Sequence, residues 1–304
     1  MMKKIFFLVL TGVAIAAMIY LSVREVIVNR EIIAEWQEAP TVFPQLAVTT
    51  HLEIIPLYEA AGNSDVFSMG HGVSYLIRTD SSTILLDVGN NPQQQNVAPF
   101  MQNMENLGIA WSEVDRIVIS HPHPDHIGGL AAWRQRTISF GELPNGLGER
   151  LVFVPHATTF KGGIHATIPT LPAPDVATTG VISYREAWPL SLFAPKGGEQ
   201  ALVVQVSGRG LVLITGCGHP GLERLVARAE SLYGAPVVGV VGGLHYTNAA
   251  ADQLQPQIQF LQSRPVSLVA LSPHDSGPEA LAAFGNAFPD AYHTLKVGES
   301  VQFP

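Results

Sequence analysis

The segment IVISHPHPDHIGGL, at residues 117–130, limits the possible folds more than any other part of the chain. Its β-branched start is typical of a strand, and the prolines that follow exclude a continuing helix. Three histidines and an aspartate are therefore concentrated in a loop at a strand end. Because side chains alternate along an extended segment, His121 and His123 are expected to point the same way. Asp125 and His126 are expected to turn toward a neighbouring position.

This set of side chains predicts a metal site. Imidazole nitrogens and carboxylate oxygens are ligands that zinc-like ions take in proteins, and the arrangement suits two adjacent ions. We expect zinc as the default metal, and iron or manganese are compatible with the same ligands. Two ions about 3.5–4 Å apart can share one water molecule and present hydroxide to an electrophile. Asp125 is predicted to orient that water in addition to binding one ion.

After residue 51 the chain alternates short apolar runs with turn-forming residues. GVSYLIRT and STILLDVG predict one hairpin, and ALVVQV and GLVLITG predict another around residues 207–210. Amphipathic helices such as GLERLVARAESLYG and PEALAAFGNAF alternate with the later strands. Hairpins followed by strand–helix alternation in each half predict an α/β fold, a four-layer αββα sandwich. Residues 161–198 are rich in Pro, Gly and Thr, and we expect them to be irregular and to flank the site.

The N-terminal residues indicate export. Lys3 and Lys4 precede an uncharged apolar run at residues 5–23, which Arg24 ends. At a rise of about 1.5 Å per residue, a helix over this run approaches the roughly 30 Å of a bilayer core. The run is either an uncleaved anchor, favoured because it stays apolar beyond the small-residue sequence AIA, or a cleaved signal peptide. The two lysines favour a cytoplasmic N-terminus, so the remainder is expected to be periplasmic or extracellular.

We therefore divide the chain into residues 1–24 as anchor or signal, residues 25–50 as a helical stub and linker, and residues 51–304 as the functional domain. The formal net charge of −8, with only 17 Lys and Arg, argues against a nucleic-acid partner. The single cysteine, Cys217, excludes an internal disulfide. The expected partners are a small-molecule substrate and, through the N-terminal segment, a membrane. The sequence leaves the oligomeric state open.

Two motifs carry a resemblance to a known family. SHPHPDHIGGL resembles the signature of the metallo-β-lactamase-fold superfamily, and LLDVG resembles that superfamily's first motif. Within the superfamily, HGVS, EQAL, TGCGH, GGLH and SPHDSG occur in the order seen in the group around the dihydropterin-ribofuranosyl-aminobenzene phosphate synthase. The resemblance extends from about residue 52 to the C-terminus. It implies a metal-dependent enzyme and a metallo-β-lactamase fold.

The later motifs supply further candidate site residues. His219, between a glycine and a proline after an apolar strand, is predicted to be a metal ligand, and His274 resembles the superfamily's last metal-binding histidine. The resemblance implies that Asp87 in LLDVG supports the metal loop by contacting a ligand histidine. Cys217 stands where superfamily members often carry a bridging aspartate. It is either a thiolate ligand or a small buried apolar residue.

Three candidates have open roles. Glu199 occupies the place of the superfamily's third-motif histidine, so it is either a ligand or a partner of one. His156 follows a predicted strand and is a candidate for metal binding or substrate positioning. His245, at another strand end, is our candidate proton donor, with substrate contact and metal binding as alternatives. The remaining histidines are interpreted as ordinary loop residues, although the second lies in HGVS and could reach the site: His51, His71, His165 and His293.

Three functions from different classes are compatible with these residues. The leading hypothesis is an exported metal-dependent hydrolase that attacks an ester, lactone, amide or phosphoester with a metal-bridged hydroxide. The second is a bond-forming enzyme like the synthase of the resembled group, which the export segment disfavours. The third is a non-catalytic metal-binding or sensor module at the membrane, which the complete HPHPDH motif disfavours.

Overall fold

The computed structural model describes residues 2–38, 45–155, 160, 162–187 and 190–303. The chain divides into two compact units, which are described separately. The smaller unit comprises residues 1–39 and 183–197, and the larger unit comprises residues 40–182 and 198–304.

The strands and helices are short apart from the first helix. The strands are β1 (Val48–Thr49), β2 (Leu52–Tyr58), β3 (Ser74–Thr79), β4 (Thr83–Leu86), β5 (Arg116–Val118), β6 (Leu151–Val154), β7 (Ile164–His165), β8 (Val176–Thr178), β9 (Ile182–Arg185), β10 (Lys196–Glu199), β11 (Leu202–Val206), β12 (Gly210–Thr215), β13 (Val237–Gly242), β14 (Leu268–Leu271), β15 (Tyr292–Thr294) and β16 (Val301–Phe303). The helices are α1 (Met2–Gln37), α2 (Pro99–Asn106), α3 (Leu130–Arg134), α4 (Leu222–Tyr233), α5 (Ala251–Gln262) and α6 (Pro278–Ala287).

Two mixed sheets of seven strands form the larger unit. The first has the order β16-β2-β3-β4-β5-β6-β7, antiparallel up to β4 and parallel from β4 to β7. The second has the order β1-β11-β12-β13-β14-β15, with β8 also paired to β11, and it is parallel from β12 to β15. In each sheet the parallel strands carry their carboxyl ends to one edge, where the loops that follow them meet.

The two sheets pack face to face, as the alternation along their strands requires. In β2, Leu52 and Ile54 lie in a core that also contains Val204 and Ile214 of the second sheet. Ile55 and Leu57, at odd-numbered positions of the same strand, point to the opposite face and pack with α2 residues in a separate core. Helix α4 packs against β12 and β13 on the second sheet. The predicted α/β class is therefore confirmed, with helices outside a pair of sheets.

Sequence patterns were less informative in the Pro- and Gly-rich segment. Residues 161–198 contain β7, β8 and β9 and most of β10, where we expected irregular structure. The prediction was wrong because these strands have only two to four residues each, too few for an alternating pattern. Both hairpins, β3–β4 and β11–β12, are confirmed.

The smaller unit is built on α1, which continues without interruption past Arg24 to Gln37. Its residues 10–37 are long and apolar enough to cross a membrane by length and composition, a test that a signal sequence also passes. The described part of residues 183–197 contributes three residues of β9 and two of β10, and these strands pair with each other.

Candidate metal centre

Six predicted ligands converge at the strand ends of the larger unit. Those of the HPHPDH loop follow β5, whereas His219 follows β12 and His274 follows β14. Their donor atoms form two groups, with all atoms of a group within 4.8 Å of one another. The first group is His121, His123 and His219, and the second is Asp125, His126 and His274. The structure thus brings all six side chains together. Their division into two groups of three is compatible with two adjacent ion sites.

Cys217 lies between the histidines of the second group. Its Sγ atom is 3.1 Å from Nε2 of His126 and 3.2 Å from Nε2 of His274. Burial, with the Asp275 carboxylate nearby, raises the pKa of this thiol well above its usual value. A thiolate here therefore requires a neighbouring cation, which would deprotonate a coordinating thiol. Geometry makes Cys217 a further possible ligand, and it is also buried as the alternative interpretation expected.

The buried carboxylate of Asp87 positions two histidines of the HPHPDH loop. Its Oδ2 atom is 2.7 Å from Nδ1 of His126 and accepts a hydrogen bond from Ser120 Oγ at 2.6 Å. That hydroxyl lies 2.9 Å from Nδ1 of His121. Because the serine proton is directed to Asp87, the hydroxyl oxygen is left to accept from the His121 ring. Asp87 therefore contacts one candidate ligand histidine directly, as predicted, and a second candidate through Ser120.

This arrangement leaves the other nitrogen of His121 facing the site. Its Nε2 atom is buried and has no hydrogen-bond partner among the described residues. Burial, reinforced by His126, lowers the pKa of the His121 ring well below its usual value, so the ring is neutral. A buried ring nitrogen with a free lone pair is unfavourable unless something binds it. A metal ion fits this position, which His123 and His219 also face.

Glu199 contacts a predicted ligand, His219, as the second of its two interpretations expects. Its Oε2 atom is 2.9 Å from Nδ1 of His219 and accepts the backbone N–H of the same residue at 2.8 Å. Its Oε1 atom accepts the backbone N–H groups of Cys217 and Gly218 at 3.0 and 2.8 Å. Burial disfavours the charged form, yet the hydrogen bond from His219 and the backbone donors lower the pKa of Glu199 to about 2. Glu199 thus holds the TGCGH turn and orients His219.

Glu59 is a third buried carboxylate that positions a histidine of the site, and it was not among the predicted site residues. Its Oε2 atom accepts a hydrogen bond from Ser272 Oγ at 2.5 Å, and that hydroxyl is 2.5 Å from Nδ1 of His274. Its Oε1 atom accepts the backbone N–H of His274 at 2.8 Å. Burial raises the pKa of Glu59 to about 7, although these hydrogen bonds oppose the shift. The available signal was an acidic residue at the end of the apolar strand LEIIPLY.

His71 contacts the site, as its place in the HGVS motif allowed, although its first interpretation was an ordinary loop residue. Its Nδ1 atom is 2.8 Å from Oδ2 of Asp125. Burial opposes ionisation of Asp125, but His126 and His71 together hold the pKa of its carboxyl well below the usual value. The next residue, Gly72, has φ of +125°, and a Cβ atom there would lie 2.2 Å from the Asp125 carbonyl oxygen. The HGVS motif therefore packs directly on the metal loop.

His245 lies beside the first group. Its ring centroid is 4.6 Å from that of His219, and its side chain is exposed. Its backbone, at φ of +59°, donates a hydrogen bond to Oδ2 of the buried Asp275 at 3.0 Å. A cavity of about 470 Å³ adjoins it, with Tyr246 and Asn248 among the lining residues. His245 therefore lies beside both this cavity and the candidate metal ligands.

The other predicted histidines contribute no described contact to the candidate metal centre. His156 lies outside the described residues, so its predicted role stays a prediction. The three remaining histidines have exposed side chains, as an ordinary loop or surface role predicts: His51, His165 and His293.

The two-sheet arrangement, with groups of His and Asp side chains that could hold metal ions at its strand ends, is that of the metallo-β-lactamase fold. A family model described as the metallo-beta-lactamase superfamily matches residues 68–138, which contain both HGVS and HPHPDH. Over these residues the chain matches this superfamily, as its signature predicted.

Individual proteins are also similar to the chain. The chain is 24% identical over 290 residues to the 7,8-dihydropterin-6-methyl-4-(beta-D-ribofuranosyl)-aminobenzene-5'-phosphate synthase of Methanocaldococcus jannaschii, covering 80% of this chain and 93% of that protein. Tm1679, a metal-dependent hydrolase of the beta-lactamase superfamily, has a similar structure with a TM-score of 0.60 and 22% identity, over 83% of this chain and 99% of that one. YhfI from Bacillus subtilis, a metallo-beta-lactamase fold protein, has a TM-score of 0.51 and 12% identity, over 84% and 100%. These structural likenesses show a shared fold.

Proposed function

We propose that the chain is an exported, metal-dependent hydrolase acting on an ester, lactone, amide or phosphoester of a small molecule. The observation that carries the proposal is the buried Nε2 atom of His121, which has no partner among the described residues and lies with the donor atoms of His123 and His219. Such an arrangement is costly without an ion, and three imidazoles are a ligand set that catalytic zinc uses.

The two groups of donor atoms would hold two ions. His121, His123 and His219 would bind the first. Asp125, His126 and His274 would bind the second, with Cys217 near enough to contribute a thiolate. Zinc is the metal that we propose, since imidazole, carboxylate and thiolate all suit it. When bound, such a pair polarises a carbonyl or phosphoryl oxygen and lowers the pKa of water.

The protein's own side chains would prepare the site in two ways. Asp87, Glu59 and Glu199 fix the orientation of ligand rings by binding Nδ1, directly or through a serine, so that Nε2 points inward. His71 would hold the Asp125 carboxylate in its ionised form. Outer partners of this kind commonly contribute a tenfold to hundredfold factor in metal affinity or activity.

His245 would donate the proton that the leaving group needs. Its exposed ring stands next to His219, and Asp275 fixes the backbone from which that ring projects. The adjoining cavity is lined by Thr247, Asn248 and Gln253, whose polar groups suit a polar substrate. A neutral-pH proton donor is a role that histidine fills in many enzymes.

A bond-forming activity is the second candidate. The similarity to the Methanocaldococcus jannaschii synthase extends over 93% of that protein, which favours related chemistry. The apolar helix α1 favours the exported hydrolase, because we propose that it is an uncleaved anchor with its N-terminus in the cytoplasm.

Metal analysis followed by a substrate panel tests the proposal. Purified full-length protein would be assayed against phosphodiester, lactone and β-lactam substrates, and against the substrates of the synthase. We expect hydrolysis of at least one of the first three, and a sharp loss of turnover in His121→Ala and Asp125→Asn. His293→Ala, at an exposed histidine, is the matched control. Turnover and metal content that are unchanged in both site variants would refute the assignment, whereas activity only on the synthase substrates would favour the second candidate.

A further inference from the structure

The smaller unit contains a feature that the proposed hydrolase site does not use. Its described residues in 183–197 are bound to the charged part of α1 by side chains. The guanidinium of Arg24 donates to the carbonyl oxygens of Ser191 and Leu192, at 2.7 and 3.1 Å. The Arg185 guanidinium lies 2.5 Å from the Glu25 carboxylate. These contacts fix the position of the segment along the helix.

A further set of contacts lies about two to three turns beyond Arg24 along α1. The Lys196 ammonium group is 2.7 Å from Glu35 and 3.5 Å from Glu31. Ser183 donates a hydrogen bond to the same Glu35 carboxylate. The segment therefore lies alongside residues 24–35 of the helix, and its Ser191–Leu192 end lies next to Arg24.

Arg24 ends the apolar run. Its place in the helix therefore determines how residues 183–197 would lie relative to the surface of a membrane that α1 crosses. A helix needs about 20 apolar residues to span a bilayer core, and the run before Arg24 is of that length. A helix that crosses the bilayer with this run places Arg24 at the membrane surface. Because the Leu192 carbonyl accepts from Arg24, Leu192 and the following Phe193 lie at that surface too.

The side chains at this end are apolar and exposed. Phe193 is 83% exposed and Leu192 is 45% exposed. Tyr20 and Leu21, in the last turn of the apolar run, are exposed as well. Aromatic and aliphatic side chains beside an arginine are typical of the interface between lipid headgroups and acyl chains.

We propose that Leu192 and Phe193 insert into the outer surface of the bilayer that α1 crosses, so that residues 183–197 hold the protein at the membrane at a second point. The proposal rests on α1 being an uncleaved anchor, which is part of the proposed function, and it does not depend on the hydrolase activity. The lipid bilayer is the partner because the apolar end continues the apolar surface of the helix.

Depth-dependent quenching tests this insertion directly. Full-length Phe193→Cys protein carrying an environment-sensitive fluorophore would be reconstituted into phosphatidylcholine–phosphatidylglycerol vesicles containing spin-labelled lipids. Glu38→Cys, at the exposed residue just past the end of α1 and about four helical turns from Arg24, is the matched control in the same unit, and wild-type protein gives the background from the buried Cys217. We expect several-fold stronger quenching at residue 193 than at residue 38.

The possible results separate this proposal from the anchor. Equal quenching at both positions in protein that floats with the vesicles would overturn the insertion while leaving the anchor intact. Protein that does not float with the vesicles would overturn the anchor and the insertion together. In the labelled Phe193→Cys background, Arg24→Ala should reduce the quenching, since the donor to the Ser191 and Leu192 carbonyls is lost. Undiminished quenching would contradict the role of Arg24.

Discussion

The Glu199 carboxylate holds His219 at two points, its Nδ1 atom at 2.9 Å and its backbone N–H at 2.8 Å. The sequence resemblance placed Glu199 where a ligand histidine is usual, and the structure instead makes it the support of a different histidine. The carboxylate also accepts two further backbone hydrogen bonds from the TGCGH turn. A single buried group thus determines both the turn and the ring orientation.

Glu199→Gln should therefore weaken metal binding at the first group. The amide keeps the size of the side chain but replaces one acceptor oxygen with a donor, so the His219 contacts cannot all be kept. We expect metal affinity to fall by about tenfold to hundredfold, measured by competition with a chromogenic chelator. Glu149→Gln, at an exposed position, is the control and should leave affinity unchanged. Wild-type affinity in Glu199→Gln would show that the carboxylate does not position a ligand.

Asp87→Asn should lower both stability and metal affinity. Asp87 has φ of +59°, a conformation that asparagine tolerates, so the backbone should survive. Its carboxylate accepts from the Ser120 N–H, the Ser120 hydroxyl and His126, and the amide can accept at only one atom. We expect a loss of about 1–3 kcal/mol in the free energy of unfolding, measured in denaturant with chelator present. An unchanged unfolding midpoint would contradict these buried hydrogen bonds.

Cobalt substitution distinguishes the two interpretations of Cys217. If the thiolate binds metal, the cobalt-loaded protein should show an intense thiolate-to-cobalt charge-transfer absorption in the near ultraviolet, and Cys217→Ser should abolish it. Cys217→Asp should retain cobalt without that band, because a carboxylate can replace the thiolate as a ligand. A cobalt-loaded wild-type protein without the band would instead support a small buried apolar residue.

Gly72→Ala should destabilise the protein much more than a glycine substitution in open space. The new Cβ atom would lie 2.2 Å from the Asp125 carbonyl oxygen, at φ of +125°. Gly208→Ala is a matched control, since Gly208 has φ of +68° and a Cβ atom there would meet no atom of the described residues within 4 Å. We expect a cost of about 1–2 kcal/mol for the control and at least about 3 kcal/mol for Gly72→Ala, from thermal or denaturant unfolding. An equal loss of unfolding free energy in both variants would mean that the loop containing Asp125 can shift away from residue 72 without a further loss of stability.

Much of the site could be anticipated because its residues lie in local patterns. A strand followed by HPHPDH can be recognised without knowledge of the rest of the chain. TGCGH, GGLH and SPHDSG each follow a predicted strand as well. The parallel strand ends then bring these loops together in space. Whether the gathered residues bind metal stays a prediction.

Contacts between distant parts of the chain could not be anticipated in this way. Glu59 binds Ser272 across 213 positions, and His71 binds Asp125 across 54. No periodic pattern encodes such a pairing, since it depends on how the two sheets stack. The attachment of residues 183–197 to α1 likewise depends on single ion pairs, which sequence periodicity does not indicate.

We propose that the two groups of donor atoms each hold an ion. The most direct test is the metal content of purified full-length protein, measured by elemental mass spectrometry beside His121→Ala and His274→Ala variants. We predict about two equivalents per chain in the wild type, falling to about one in each variant while folding is retained. A correctly folded wild-type protein that binds no zinc, iron or manganese when these are supplied would contradict the account.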